Sequence, residues 1–221
     1  MIKAVTFDLD NTLIDFVTMK KLSCDAAMTA MIGAGLNFDK KKGMEELFKL
    51  YDKYGWENKE IFQKFLRKFS KKIDYEILAS GIVSYRRVRA GYLEPYPNVS
   101  EVLFELKKRG KKLAIVSDAP RLKCWIRLVS MKINHLFDVV VSFDDTKEYK
   151  PSEKPFKFAF EKLNVKPHEI LMVGDNIERD IKGAKKLGMV TCFAKYGNPK
   201  VKGKDADYEI SNIKELLEIV E

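Results

Sequence analysis

The stretch Ala4–Thr12, AVTFDLDNT, decides the fold and holds the first candidate site. Its first four residues form a short apolar run of the kind that is buried on both faces of a parallel sheet. Asp8 and Asp10 follow this run directly. Because Asp is rare in strands and ionised at neutral pH, two carboxylates beside a buried strand need a compensating partner. We interpret the pair as a metal-assisted phosphoryl site that holds a divalent cation.

Comparable apolar runs recur at four later places in the chain, and helix-like segments separate them. The runs are continuous rather than alternating, which indicates strands buried on both faces. Segments such as 102–106 and 156–163 have the spacing of amphipathic helices. This alternation predicts an α/β fold, a Rossmann-like parallel sheet with helices on both faces and right-handed crossovers. The four runs are Leu113–Val116, Val139–Val141, Ile170–Val173 and Val190–Phe193.

The chain that follows the first strand interrupts this alternation. It contains no convincing buried strand and is predicted to form three or four amphipathic helices whose apolar faces make their own core. Two prolines in three residues, Pro95 and Pro97, oppose continuation of the last of these helices. We therefore assign 1–15 and 93–221 to an α/β core domain, and 16–92 to an inserted helical domain.

The composition is that of an ordinary globular protein. The 221 residues are 46% hydrophobic and 33% charged, and no apolar run approaches the roughly 18 residues that a membrane span needs. The chain begins without the basic flank and apolar core of a secretory signal, so we expect a cytoplasmic protein without membrane association. Its three cysteines lie far apart and outside any CxxC spacing, which argues against a disulfide framework and a thiolate zinc site.

The net charge of +9 could reflect nucleic acid, an anionic membrane surface or an anionic small molecule as the partner. The lysines are dispersed over predicted helical faces, where such residues are usually solvated, so we expect no nucleic-acid binding. With only two histidines and no HExxH motif, a metal must be held mainly by oxygen ligands, which favours Mg²⁺. The sequence leaves the oligomeric state open between monomer and dimer.

Polar residues follow the other predicted strands at positions suited to one shared site. Ser117 comes directly after the second apolar run, and Asp175 follows the fourth, with Asp180 in the next turn. Lys150, followed by Pro151, lies in the segment after the third run. In open α/β sheets, ligands bind at the carboxyl ends of the strands. We therefore expect these side chains to converge with the first pair of carboxylates.

Together these residues resemble the four motifs of phosphohydrolases of the haloacid dehalogenase (HAD) superfamily, in the subfamily with a helical C1-type cap inserted after the first motif. The first motif, Asp-x-Asp-x-Thr, matches 8–12, and the second is the hydroxyl of Ser117. The third is the basic residue Lys150, and the fourth, Gly-Asp-x-x-x-x-Asp, matches 174–180. The resemblance covers essentially the whole chain, and four motifs in order are a specific signal.

The resemblance implies a Mg²⁺-dependent phosphatase that hydrolyses a small phosphorylated metabolite through an aspartyl-phosphate. Asp8 is then the nucleophile, while Asp10 protonates the leaving oxygen and later takes a proton from water. The Asp8 carboxylate, the Asp10 carbonyl and Asp175 would hold the metal. Asp180, which we also assign to the metal site, would orient Lys150 or a metal-bound water rather than ligate directly.

The same resemblance implies the residues that bind the phosphoryl group. Ser117 and Lys150 would hold its oxygens, and Lys150 would also balance the carboxylates. We place Asp118 with them, although many relatives have Asn-Gly after the second motif; Asp118 either points away or tunes specificity. Lys154 is a second candidate for the basic role, and Lys150 is preferred because its spacing to the following Pro and Phe matches the family.

Other activities of the superfamily remain as alternatives. Dehalogenases usually lack the acid of the first motif, because halide leaves without a proton, so Asp10 disfavours a 2-haloacid dehalogenase. A phosphonatase would need a Schiff-base lysine from the cap; Lys20 and Lys21 lie near the right region, but lysines are abundant here. A phosphomutase stays open. A non-catalytic binding protein on this fold would be favoured by loss of a motif carboxylate, and none is lost.

Substrate recognition is expected to belong to the helical insert. Arg86, Arg87 and Arg89 lie near its end and could bind a second anionic group of the substrate. The alternative is that these arginines belong to a solvated helix end, and we favour that alternative.

Overall fold

The computed structural model describes residues 1–70, 72–201 and 205–220. The chain folds into two compact units, one formed by Met1–Phe16 with Glu94–Glu221 and the other by Val17–Leu93. The first unit contains the sheet, and the second is helical. In the described ranges, we find no helix with the length and apolar character of a membrane span.

Six strands form one parallel sheet in the first unit. They are β1 (Ala4–Phe7), β2 (Lys112–Val116), β3 (Val139–Val141), β4 (Ile170–Gly174), β5 (Val190–Ala194) and β6 (Tyr208–Ile210). The order in the sheet is β3-β2-β1-β4-β5-β6. The chain adds strands on one side of β1 and then on the other, so a topological switch point lies between β1 and β4. Ligands of doubly wound sheets bind at the carboxyl ends of the strands beside such a point.

In the described part of the second unit, four helices share an apolar core. They are α1 (Phe16–Gly33), α2 (Lys40–Tyr54), α3 (Ile61–Phe69) and α4 (Tyr75–Gly91). Asp39 and Asp74 cap α2 and α4, because each side chain accepts main-chain N–H groups of the first turn. The predicted apolar faces of α2 and α3 pack into the core, where Leu47 and Phe65 are fully buried.

Six further α-helices lie in the described part of the first unit. They are α5 (Val99–Lys108), α6 (Arg121–Ser130), α7 (Phe143–Thr146), α8 (Glu153–Leu163), α9 (Lys182–Lys185) and α10 (Leu216–Ile219). Along β1 and β2, successive residues point to opposite faces of the sheet, and Val5, Ala114 and Ile115 are all fully buried. Both faces of the sheet are therefore covered.

The predicted α/β fold with a parallel sheet is confirmed, and the five predicted apolar runs form β1 to β5. The sixth strand was missed. In β6 only Ile210 is buried, so this edge strand carries no apolar run that could reveal it.

Candidate active site

Buried polar side chains meet at the carboxyl ends of β1, β2 and β4. Asp8 continues the ladder beyond β1, because its main-chain N–H donates to the carbonyl of Val173 at 2.9 Å. Ser117 continues β2 in the same way, with its N–H donating to Val141 at 2.9 Å. Asp8 is 4% exposed, Ser117 5% and Asp175 4%. The parallel pairing therefore brings together residues that lie far apart in the sequence.

The ammonium group of Lys150 lies among these carboxylates. Its Nζ is 2.7 Å from Asp8 Oδ1 and 2.7 Å from Asp180 Oδ1, and it donates to the carbonyl of Val116 at 2.7 Å. Burial by itself lowers the pKa of Lys150, but the charges of Asp180 and Asp8 outweigh it and hold that pKa above its usual value. Lys150 therefore stays protonated and balances the negative charge around it.

Asp8, Asp175 and Asp180 form a buried acidic cluster whose carboxylate oxygens lie within 4.8 Å of one another. Burial, together with the charges of Asp8 and Asp180, raises the pKa of Asp175 to about 7. Across the described ranges, no hydrogen-bond donor reaches the buried atoms Asp8 Oδ2 and Asp175 Oδ1. Buried carboxylate oxygens without a donor need a positive partner, and hard divalent cations prefer such ligands. The cluster thus fits a divalent cation.

Asp180 owes its position to the glycine that begins the fourth motif. A Cβ at position 174 would lie 2.5 Å from the Cβ of Asp180, so only glycine leaves room for that side chain. Asp180 Oδ2 accepts the main-chain N–H of Asn176 at 3.1 Å, which fixes the carboxylate that faces Lys150. The Gly-Asp spacing of the motif therefore has a packing reason in this chain.

Asp118 uses both carboxylate oxygens within the protein. Oδ1 accepts the main-chain N–H of Lys150 at 2.9 Å, and Oδ2 lies 3.2 Å from Nη1 of Arg179. The neighbouring Ser117 hydroxyl accepts the N–H of Ala119 at 3.2 Å. The departure from the family's second motif is thus matched by an arginine inside the fourth, which compensates the added carboxylate.

Asp10 lies in the turn that follows β1. Asn11 has a φ of 61°, in the left-handed region that Asn tolerates, and this conformation turns the chain back after the strand. A Cβ at Gly197 would lie 1.7 Å from the carbonyl oxygen of Asn11, so the turn requires glycine there. Asp10 Oδ1 is 3.1 Å from Nε of Arg127, whose side chain is fully buried.

Two other sets of predicted residues lie in different surroundings. Lys154 is on the surface, with a side chain 58% exposed and paired with Glu148 at 3.3 Å, so Lys150 alone of the two candidates lies among the carboxylates. Near the end of α4, Arg86 and Arg87 are exposed and Arg89 is half-buried.

Three residues of the site were missed from the sequence, and two of them carry a signal in retrospect. Arg179 lies within the fourth motif, directly before Asp180. Arg127 shares the buried face of α6 with Cys124 and Leu128, so a charged residue at that helical position is anomalous. Gly197 belongs to a polar segment after β5, and nothing in the sequence links it to the first motif.

Comparisons with known proteins identify the family of this chain. Residues 5–194 match the family model of haloacid dehalogenase-like hydrolases. The glyceraldehyde 3-phosphate phosphatase of Methanocaldococcus jannaschii is 34% identical over 222 residues, which cover 100% of this chain and 97% of that relative. The pyrophosphatase PpaX of Halalkalibacterium halodurans is 34% identical over 157 residues, which cover 68% of this chain and 73% of the relative.

Solved structures show the same fold. The HAD phosphatase from Thermococcus onnurineus has a TM-score of 0.74 and 27% identity, and the match covers 99% of this chain and 97% of that one. The 2-haloacid dehalogenase from Pseudomonas syringae has a TM-score of 0.69 at 23% identity, with 99% and 98% covered, and at that identity shares the fold alone. The predicted assignment to the HAD phosphohydrolases is confirmed, and the chain belongs to the haloacid dehalogenase-like hydrolase family.

Proposed function

We propose that this protein is a cytoplasmic, Mg²⁺-dependent phosphatase that hydrolyses a small phosphorylated metabolite, with Asp8 as the nucleophile. The observation that carries the proposal is the asymmetry of the Asp8 carboxylate. Oδ1 accepts from Lys150 at 2.7 Å, whereas Oδ2 is buried with no hydrogen-bond donor within the described ranges. A carboxylate that is fixed at one oxygen is held in one orientation, from which it can attack an electrophile.

The donor set supports Mg²⁺ as the metal. The carboxylates of Asp8 and Asp175 and the main-chain carbonyl of Asp10 would hold the ion. Asp180 would pair with Lys150 rather than ligate the ion directly. These ligands are all oxygen, which suits a hard cation. When bound there, Mg²⁺ would reduce the repulsion between the anionic nucleophile and the anionic phosphate.

The reaction then follows from the positions of the two first-motif carboxylates. Asp8 attacks phosphorus, an Asp8–phosphorus bond forms, and the ester P–O bond breaks. Asp10 donates a proton to the leaving oxygen, which departs as an alcohol. In the second half, Asp10 takes a proton from water, the water oxygen attacks phosphorus, and inorganic phosphate leaves Asp8 free again.

Three groups would bind the transferred phosphoryl group. The Lys150 ammonium and the Ser117 hydroxyl supply side-chain donors at the strand ends. Asp118 would contribute through its main-chain N–H, because its carboxylate is held by Arg179 and by the main chain of Lys150 and would repel a phosphate. This set offers charge and donors where negative charge develops.

The relatives that align along the whole chain support a narrower substrate class. Five glyceraldehyde 3-phosphate phosphatases are 32% to 34% identical to this protein over 98% to 100% of its length. We therefore expect a phosphorylated metabolite of about three carbons, and we assign Val17–Leu93 the role of the family's cap. Retention of Asp10 favours an alcohol over a halide as the leaving group, because only the alcohol needs a proton.

A phosphate-release screen tests the proposal. The panel contains glyceraldehyde 3-phosphate, glycerol 3-phosphate, hexose phosphates, nucleotides, pyrophosphate and 2-haloacids, each with Mg²⁺ and with EDTA. We expect metal-dependent release from a three-carbon phosphate and no release by Asp8→Asn. Activity that survives in Asp8→Asn, or that EDTA does not reduce, would overturn the mechanism. Product isomerisation without phosphate release would instead indicate the phosphomutase alternative.

A further inference from the structure

Arg127 is a charged side chain without exposed surface, and its partner is the first-motif residue that carries the proton. Its side chain is 0% exposed, and its Nε lies 3.1 Å from Asp10 Oδ1. The guanidinium carbon lies 4.6 Å from the centre of the Phe16 ring. A buried guanidinium is costly unless it is paired, and here an anion and an aromatic face stabilise it.

The pair joins two rigid parts of the α/β unit. Asp10 follows β1, and Arg127 lies on the buried face of α6 with Cys124 and Leu128, which are also fully buried. The backbone of Arg127 is therefore fixed by helix packing. The 3.1 Å contact is an ion pair whose two atoms do not meet hydrogen-bond geometry, so the restraint on the carboxylate comes from charge and from the fixed position of the planar guanidinium.

We propose that Arg127 is a positioning residue for proton transfer to the leaving oxygen. Its contact with Oδ1 fixes the side-chain torsions of Asp10 and hence the direction in which Oδ2 points. Since the Asp10 side chain is 25% exposed, this contact restrains a carboxylate that packing does not fully enclose. The inference rests on the proposed function, in which Asp10 is the general acid.

The proposal is tested by the dependence of rate on the leaving group. We would measure kcat/KM of Arg127→Met and Arg127→Lys with glycerol 3-phosphate, or the best alkyl phosphate of the panel, and with p-nitrophenyl phosphate. An alkoxide needs a proton to leave, whereas p-nitrophenolate needs almost none. We expect kcat/KM of Arg127→Met to fall about 30-fold on the alkyl ester and about 3-fold on p-nitrophenyl phosphate. The values for Arg127→Lys should lie between those of Arg127→Met and the wild type.

Two controls separate positioning from structural support. Arg121 lies on the same helix but is 57% exposed and paired with Asp145, so Arg121→Met is expected to change both rates less than about 2-fold. In an Asp10→Asn background, Arg127→Met is expected to cause no further loss, because the group through which it acts is already removed. Circular-dichroism melts of all variants report whether each one folds.

The outcomes distinguish the inference from the proposed function. Equal losses on the two substrates, or a further loss in the Asp10→Asn background, would overturn the positioning role of Arg127. If Arg127→Met does not fold, Arg127→Lys is judged by the same comparison, since lysine keeps the positive charge but not the planar guanidinium group. Failure of the proposed function is seen separately, in the wild type and in Asp8→Asn, and would remove the reaction together with the inference.

Discussion

A deeply buried lysine lies in each of the two units, and the two ammonium groups have different partners. Lys150 in the α/β unit is 3% exposed and lies 2.7 Å from two carboxylates of the candidate site. Lys20 in the helical unit is 4% exposed, donates to the Trp56 carbonyl at 2.7 Å and to the Tyr85 hydroxyl at 3.1 Å, and lies over the Tyr51 ring.

The difference shows that burial of a charge does not by itself mark a catalytic residue. At Lys150 the charge offsets an excess of carboxylates, so it sets the electrostatics of the site. At Lys20 the ammonium satisfies a carbonyl, a hydroxyl and an aromatic face, which are contacts that hold helices together. The chemistry of the partners separates the two roles.

Removal of each ammonium group gives the largest expected contrast. We expect Lys150→Met to lower kcat by on the order of 10³-fold or more, because the charge proposed to bind phosphate is lost and Asp8 and Asp180 repel each other. Lys20→Met is expected to lower the melting temperature while kcat changes less than about 2-fold. Steady-state kinetics and thermal melts of both variants check this.

Lys154 provides the matched control for the first contrast. It lies near Lys150 in the sequence, but its side chain is 58% exposed and pairs with Glu148. Lys154→Met is expected to change neither kcat nor melting temperature measurably. A loss of kcat in Lys20→Met comparable with that in Lys150→Met would contradict the different roles of the two lysines.

A glycine in each unit gives the second contrast. A Cβ at Gly197 would lie 1.7 Å from the main-chain oxygen of Asn11, and backbone cannot easily move away. A Cβ at Gly43 in α2 would meet the Met28 sulfur at 2.8 Å, and that flexible side chain can move. We expect Gly197→Ala to lower kcat/KM on the order of 10²-fold, because the turn that carries Asp10 is displaced.

Gly43→Ala is the counterpart in the helical unit. Alanine favours a helix by about 1 kcal/mol over glycine, which offsets the cost of moving Met28. We expect unchanged kcat/KM and a melting temperature within a few degrees of the wild type. Wild-type activity in Gly197→Ala would mean that the close approach does not position the first motif.

The fold and the motif residues could be read from the sequence because strand burial and strand-end chemistry are local signals. Five strands carry continuous apolar runs, and Asp8, Ser117 and Asp175 follow three of them. Parallel pairing then brings strand ends together without any further information. The pairing of Lys150 with Asp8 follows from charge once they share an edge.

The remaining site features depend on packing between distant segments. Arg127 approaches Asp10 because α6 buries one face, and no spacing in the sequence connects the two residues. The sequence could not decide between two roles for Asp118, because its partner Arg179 is recognisable only in the fold, where Asp118 Oδ2 lies 3.2 Å from Arg179 Nη1. Gly197 faces Asn11 through a similar long-range approach.

One carboxylate in each unit, Asp175 and Glu46, is expected to change stability with pH, and the two changes have opposite directions. The folded-state pKa of Asp175 is raised to about 7, above the unfolded value near 3.9, so its proton stabilises the fold at low pH. That stability is lost as the pH rises from about 4 to about 7. Without metal at pH 8, Asp175→Asn is therefore expected to raise the melting temperature by about 4 °C, on the order of 1–2 kcal/mol.

Glu46 in the helical unit has a lowered pKa, so its effect on stability runs in the opposite direction with pH. Hydrogen bonds from Lys49 and Lys68 lower its pKa to about 2, so its contribution is present at neutral pH and is lost as the pH falls from about 4.5 to 2. Glu46→Gln should therefore lower the melting temperature slightly at pH 8. Differential scanning calorimetry in EDTA checks both variants, and a lower melting temperature of Asp175→Asn at pH 8 would contradict the charge arrangement.

The smallest expected effect concerns the exposed arginines near the end of α4. If Arg87 binds a second anionic group of the substrate, Arg87→Ala should raise KM for the three-carbon phosphate about 3-fold, as a solvated charge pair is worth at most about 1 kcal/mol. KM for p-nitrophenyl phosphate should stay the same, since that molecule has only the transferred phosphate. Arg67, exposed on α3, is the control, and Arg67→Ala should change neither constant. If Arg87→Ala and the wild type have equal KM values, Arg87 does not bind the substrate. The contacts described in the helical unit, such as those of Lys20, then serve to maintain structure.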